Sequence, residues 1–437
     1  MGKVYCANNE YKSKFLSRKV LASVKVCPPE FDNNELFIKL IETVNSPSGS
    51  RQDYLNLSFR IKAEEPKMLS GFVNNDQAAY MIAALVLRKY VFIFFDFEVS
   101  RQALKRIEKI TGATVTAASV TENMNDFNLG DTRQALSLVG DSSCLGEALY
   151  QHNFAINLSG GLDSAALFRL CPGLTPVSLE FDSPSPGELA ARKMHRKLGG
   201  ISVETNISDY VFPHFSNGYF NIGSILLADA YNISVAANAK LMCDGKDWWT
   251  FLKGDTQAFL ETIEAAKTNI YGVKMAYPFL GFTKAGVHKL LYRLDPGLYD
   301  ELMSDWFEYN RHDLNACTAA RTRLLLDMVS TGKERESDWV MPMTSWNDHR
   351  LYTYYLVKKL GAKKVSEYFY DVPNGIETFL KNISMDWMEK YDRETLKYLP
   401  ADFRIYFEGC LERAAVEFYS EKDYEDRKNV LNGMDLA

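Results

Sequence analysis

Residues 156–170 read INLSGGLDSAALFRL, and this stretch decides the fold. The apolar, β-prone run HNFAINL (152–158) predicts a strand, and LDSAALFRL (162–170) predicts a helix that Cys171-Pro172-Gly173 stops. Ser159-Gly160-Gly161 is then the turn between the carboxyl end of a strand and the N-terminus of a helix. Turns of that kind in wound sheets receive anions. Free backbone N–H groups and the positive end of the helix dipole point outward, and glycine lets the backbone come close to phosphate oxygens. Ser159 and Ser164 add hydroxyl donors. A corner that only had to be tight would need the glycines but not the flanking serines and Asp163.

Working outward, strand and helix alternate from residue 152 onward, the pattern of a parallel sheet wound with helices. The next strand, TPVSLEFD (175–182), ends in Glu180 and Asp182. SPGELAARKMHRKLGG (185–200) predicts a helix opened by a capping box of Ser185 and Glu188, with Pro186 at the first helical position and Gly199-Gly200 as the stop. Upstream, residues 1–148 read as an α+β region. It has strands over ELFIKLIETV (35–44) and YLNLSFRIKA (54–63) and a helix over SRQALKRIEKITG (100–112). The run AAYMIAALVLRKYVFIFFDF (78–97) is broken by Arg88 and Lys89, so it predicts a buried helix followed by a strand rather than a membrane span. The polar tract 121–147 reads as a connection. Beyond residue 300 the chain turns helical and aromatic, and the aromatics read as core and cover. The expected organisation is an N-terminal α+β domain (1–148), a wound α/β domain that carries this loop (149–300) and a helical C-terminal region (301–437).

Composition sets the class. The chain has 437 residues, 46% of them hydrophobic, with 50 Lys and Arg against 56 Asp and Glu and a formal charge of −6. No acidic or basic tail argues for nucleic acid or membrane binding. The first residues, MGKVYCANNEYKSKF, lack an apolar segment of the secretory type, so a cytoplasmic location is expected. Seven scattered cysteines without a CxxC pair, and six histidines without HxxxH or HExxH, read as reduced thiols and isolated imidazoles rather than a zinc site.

The loop is neither a GxxxxGK[ST] phosphate loop nor a GxGxxG dinucleotide turn. SGGLDS, residues 159–164, resembles the SGGxDS loop of the PP-loop ATP pyrophosphatases, a family that includes asparagine, NAD and GMP synthetases, tRNA-thiolation enzymes and 7-cyano-7-deazaguanine synthases. The resemblance implies a Rossmann-like, adenine nucleotide alpha hydrolase-like parallel sheet. It also implies cleavage of ATP between the α and β phosphates with Mg²⁺, and an adenylated substrate. Ser159, Gly160, Gly161, Leu162, Asp163 and Ser164 would cradle the phosphates, with Glu180 and Asp182 at the adenosine edge. Asp163, Ser164 and Lys284 would be catalytic, Lys284 neutralising the departing pyrophosphate, with Arg321 and Arg323 as weaker candidates for that role.

Residues 152–325 are similar to the deazaguanine synthases in having Asn221 opening a helix, Asp255 ahead of Phe259, and Pro278 followed by Thr283-Lys284. That likeness implies a 7-deazaguanine carboxylate as the small-molecule substrate, with Asn221, Asp244, Asp247, Trp248 and Asp255 near it and Phe220 and Trp249 as further stacking candidates; core packing and solvated loops are equally open for these residues. An amine then displaces AMP to give an amide or nitrile. Some chains resembling these synthases occur in bacterial antiviral gene clusters, which widens the acceptor from ammonia to a protein or peptide amine. Two other readings stay open: an asparagine-synthetase-like amide ligase, although Gly2 replaces the N-terminal cysteine of that glutaminase, and a nucleotide-binding subunit without turnover. A homodimer is a compatible assembly. The deazaguanine synthases close this domain with four zinc-binding cysteines, whereas residues 302–327 keep only Cys317, and Asp305 stands where a ligand would. Metal analysis of the purified protein is therefore expected to find no stoichiometric zinc; one zinc per chain would contradict this reading.

Overall fold

In the computed structural model of the protein the described residues are 21–32, 35–46, 49–62, 75–86, 90–122, 154–158, 161–181, 193, 196–197, 201–206, 234–236, 275–310, 317–335, 344–345 and 350–436. The fold is α/β, a mixed sheet with parallel strands and many helices. The N-terminal part contributes β1 (Leu21–Val26), β2 (Glu30–Asp32), β3 (Glu35–Ser46), β4 (Gly49–Lys62), helix α1 (Asn75–Val86), β5 (Phe92–Ser100), α2 (Arg101–Thr111) and β6 (Thr114–Thr121). The strand and helix expected in residues 78–97 are thus β5 and α1. Among the described residues no helix is long and apolar enough to cross a membrane.

Period-2 patterning explains which face of this part is covered. In β3 and β4, Leu36, Ile38, Leu40, Leu57 and Phe59 are buried, while Phe37 and Tyr54 on the opposite face are exposed. Helix α1 lays Ala78, Ala79, Met81 and Ile82 into the core, and α2 adds Ala103 and Ile107. Helix α2 is bounded by local chemistry. The Ser100 hydroxyl accepts from Ala103 N (3.1 Å), and Gly112 takes the left-handed conformation at φ 67°.

After residue 153 the sheet becomes parallel, through β7 (Phe154–Asn157), β8 (Thr175–Phe181), β9 (Ile201–Thr205), β10 (Ser234–Ala236) and β11 (Met275–Ala276). Helix α3 (Leu162–Leu170) follows β7 with the bounds that the sequence predicts. The order across the whole sheet is β11-β10-β7-β8-β9-β4-β3-β1-β5-β6, with β2 paired to β3. The chain runs outward from β7 through β8 to β9, then returns to the other side of β7 for β10 and β11. The direction of winding therefore reverses beside β7. Of the helix expected over 185–200 only residues 193, 196 and 197 are described, and these are helical; its capping box lies outside the described residues, as does the connection from 123 to 147.

The two sheet halves join edge to edge. β9 runs antiparallel to β4, pairing Phe59 with Thr205 and Lys62 with Ser202. Where β9 ends, a side chain continues the ladder: Asn206 Oδ1 accepts from Ser58 N (2.9 Å) and its amide donates to Asn56 O (2.8 Å). Helices α4 (Lys284–Leu294), α5 (Pro296–Asn310), α6 (Cys317–Thr331), α7 (Arg350–Leu360), α8 (Ala401–Arg413) and α9 (Glu421–Leu436) follow, α5 running across residue 300. The aromatics of this region are core: Tyr299, Tyr352, Tyr355, Phe403 and Phe407 on these helices, and Tyr391 between α7 and α8, are buried. Replacing Asn206 by Ala removes both ladder bonds without opening a core cavity, and is expected to lower unfolding free energy by about 1–2 kcal/mol in urea titrations. Phe59→Ala, in the buried β4–β9 pairing, is expected to cost about 3–5 kcal/mol by the same measurement.

Candidate active site

Helix α3 follows β7, beside which the winding reverses, and in open α/β sheets that place is the crevice that receives ligands at the carboxyl ends of the strands. Leu158 still donates to Val177 O on β8 (2.8 Å), so the chain leaves the sheet only after it. Gly161 is the N-cap of α3 in extended conformation and has no side chain with which to cap the helix. Asp163 sits in the first turn, where a carboxylate suits the dipole.

Of the described residues of the predicted site, the structure brings Asp163 and Lys284 together in one ion pair. Lys284 Nζ donates to Asp163 Oδ2, although 121 positions separate the two residues, and both side chains are mostly enclosed, at 17% and 15% exposure. A lysine in the first turn of a helix opposes the dipole, so its position in α4 needs a partner, and Asp163 supplies one. Helices α3 and α4 pack against each other and are tied at their other ends too, Arg169 of the last turn of α3 meeting Asp295, the C-cap of α4, at 2.8 Å.

The segment that delivers Lys284 is pinned by the C-terminal region. Pro278–Gly281 forms a 3-10 turn, Thr283 caps α4 by accepting from Gly286 N (3.2 Å), and its hydroxyl donates to Met388 O. Lys284 N donates to Tyr352 Oη (3.2 Å). Tyr391 Oη donates to Pro278 O (2.9 Å), and Asp392 N to Gly281 O (2.9 Å). Gly281 is required here by close approach, since a Cβ would lie 2.5 Å from Cζ of the buried Tyr391.

Ser164 is fully buried and its hydroxyl donates to Gly161 O (3.0 Å), so in this state it braces the loop from within. Glu180 is half-buried near the end of β8, in register with Glu204 of β9. Asp305 holds Lys193 at 3.1 Å. Arg323 stacks on Trp306, its guanidinium 4.2 Å from the ring centroid, and Arg321, also on α6, is buried. Ser159, Gly160, Asp182, Phe220, Asn221, Asp244, Asp247, Trp248, Trp249 and Asp255 lie outside the described residues. Among the described residues no group of three or more His, Cys, Asp and Glu side chains is placed to hold a metal ion.

One element escaped the sequence reading. His288, on the same face of α4 as Lys284, is buried, and its Nδ1 lies 2.9 Å from Tyr299 Oη. The nearby Asp327, whose carboxylate acts on Tyr299, is held by Arg335 Nε at 3.1 Å. Burial, then the nearby charges of Arg323 and Lys284, hold His288 well below the usual histidine range. Burial and Asp327 push the Tyr299 hydroxyl up. The four-residue spacing from Lys284 to His288 was the available signal. A cleft of about 370 Å³ runs along the opposite face of α4, past Gly286, Lys289 and Arg293, and its charges are already matched, Glu389 accepting from Lys289, Lys359 and Tyr355.

No protein-family model, curated protein or solved structure matches this chain. The site is thus defined by its own geometry. Because Asp163 and Lys284 contact each other directly, a double-mutant cycle of Asp163→Ala and Lys284→Ala is expected to show a coupling of about 1–3 kcal/mol in denaturant unfolding, against near-additivity for Asp163→Ala with the distant Lys109→Ala.

Proposed function

We propose that the protein is an ATP-dependent carbon–nitrogen ligase that adenylates a substrate carboxylate, a 7-deazaguanine carboxylate by the sequence likeness, and passes the acyl group to an amine. The reading rests on the Asp163–Lys284 pair at the N-terminus of α3, beside the point where the strand order reverses. That strand order, β9-β8-β7-β10-β11, supports a Rossmann-like assignment.

The residues fit a nucleoside triphosphate. The N-terminus of α3, with glycine at its N-cap, suits phosphate oxygens, Lys284 suits their charge, and the Asp163 carboxylate suits a hard cation. The Asp163 carboxylate would hold Mg²⁺, which would supply charge neutralisation to the phosphates. The substrate carboxylate attacks the α-phosphorus, the α–β bridging P–O bond breaks, and pyrophosphate leaves. A neutral amine then forms the C–N bond of the amide, AMP leaves with the acyl C–O electron pair, and one proton is released. Little covalent work falls to the protein. Lys284 offsets the charge that grows on the leaving pyrophosphate, and Asp163 keeps the ammonium group aimed at the loop. The pinned turn before α4 holds that lysine in place without reorganisation during the reaction.

Incubation with ATP, Mg²⁺ and 7-carboxy-7-deazaguanine is expected to yield AMP and pyrophosphate by chromatography, and Lys284→Ala to slow this by about 10²-fold or more. AMP formation with aspartate or another amino acid but not with the deazaguanine would move the protein to the amide ligases. No AMP with any carboxylate, alongside retained ATP binding, would leave a nucleotide-binding subunit.

A further inference from the structure

Strand β6, TVTAASVT, ends the sheet. It pairs with β5 on one side, and among the described residues no strand pairs with the other. Thr114 N donates to Val91 O (2.9 Å), so the N–H and C=O of Thr114 and, two residues on, Thr116 face β5. Successive residues of a strand alternate, and the backbone groups of Val115, Ala117, Ser119 and Thr121 therefore point away from it. Native sheets blunt such an edge with charge, proline, a bulge or shortness. The opposite edge, β11, is only two residues long. β6 has eight residues without a charge, a glycine or a proline, and the irregularity between Phe95 and Glu98 lies in β5. Thr114, Thr116, Ala118 and Val120 share one face and are exposed, Val120 at 44%.

We propose that β6 is a dimer edge, at which two copies of this chain pair their β6 strands antiparallel about a two-fold axis and continue the sheet from one subunit into the other. The strand is complementary to itself. A two-fold axis at Ala118 sets Val115 against the partner's Thr121 and Ala117 against the partner's Ser119, so every outward-pointing residue meets another and each pair exchanges two N–H···O=C bonds. Between these lie the close, non-hydrogen-bonded pairs. Ala118 faces the partner's Ala118 on the axis, where a small side chain suits the short approach, and Thr116 faces the partner's Val120. No like charges stand opposite one another along the strand. The flanks carry both signs: Glu122 and Arg101 form an exposed pair at 2.7 Å, and Glu108 and Lys109 are exposed in the last turn of α2, so neither end sets a block of one sign against its copy. A charged peptide, by contrast, would find no counter-charge on β6. The contact is also closed. Once two β6 edges meet, the described sheet ends in a two-residue strand on each side, and assembly stops at two. The proposal stands on the strand edge and does not depend on the ligase reading.

Light scattering coupled to gel filtration of the full chain is expected to give twice the chain mass, falling toward the chain mass on dilution. Ala118→Lys sets two ammonium groups side by side at the axis and is expected to give a monomer, as is Ala118→Glu, whereas mixing the two variants should restore a dimer with one copy of each. Under oxidising conditions Ala118→Cys is expected to yield a covalent dimer linked through position 118, because the Cα atoms of a non-hydrogen-bonded pair lie about 4.5 Å apart, within disulfide reach. Should the charged variants not fold, that cross-link decides alone. A wild-type chain that stays monomeric at its highest soluble concentration would overturn the proposal, as would a dimer that Ala118→Lys leaves intact or the absence of a cross-link at position 118.

Discussion

The ion pair between Lys284 and Asp163 is the constraint around which the rest of the site is arranged. A carboxylate in the first turn of α3 is favourable by itself, whereas an ammonium in the first turn of α4 is not, so the pair sets the lateral placement of the two helices. At the far ends Arg169 and Asp295 tie the two helices again: the cation suits the last turn of α3, and Asp295, which also accepts from Leu298 N, suits the N-terminus of α5 that follows α4. Small residues between the ties, Ala165 and Ala166, are fully buried and leave room for a close helix approach.

That arrangement explains why the C-terminal region is aromatic. Its work near the site is to hold the Pro278–Gly281 turn, through the Tyr391 hydroxyl on Pro278 O and the ring against Gly281. Tyr391 is itself fixed by T-shaped contacts with Phe282 and Phe407. The neighbouring Asp392 is held by Arg427 (2.8 Å) and Tyr424 (2.7 Å) of α9. A chain of buried contacts thus runs from the last helix to the turn that presents Lys284. The His288–Tyr299–Asp327–Arg335 network does the same from the α5 and α6 side, and it does so uncharged at His288, next to a lysine whose charge is engaged elsewhere.

The N-terminal α+β part adds strands rather than a separate layer. β4 pairs with the outer strand β9, and Asn206 prolongs the pairing past the end of that strand. An edge strand left unpaired would offer free N–H and C=O groups to other chains, so the junction also removes one open edge of the parallel sheet.

Several features were legible in the sequence alone because they depend on neighbours a few residues apart. The bounds of α3 follow from a glycine turn before it and Cys171-Pro172-Gly173 after it. The limits of α2 follow from Ser100 and Gly112, and the break of the 78–97 run follows from its two charges. Asp163 and Lys284 could each be singled out by residue type and context. What the tertiary structure decided is which distant residues share a neighbourhood: that Asp163 takes Lys284, that Gly173 donates to Tyr406, and that β9 pairs with β4. Capping and periodicity act over one or two turns of chain and are written locally. A partner more than a hundred residues away is selected by how sheets and helices close-pack, and no local pattern carries that choice.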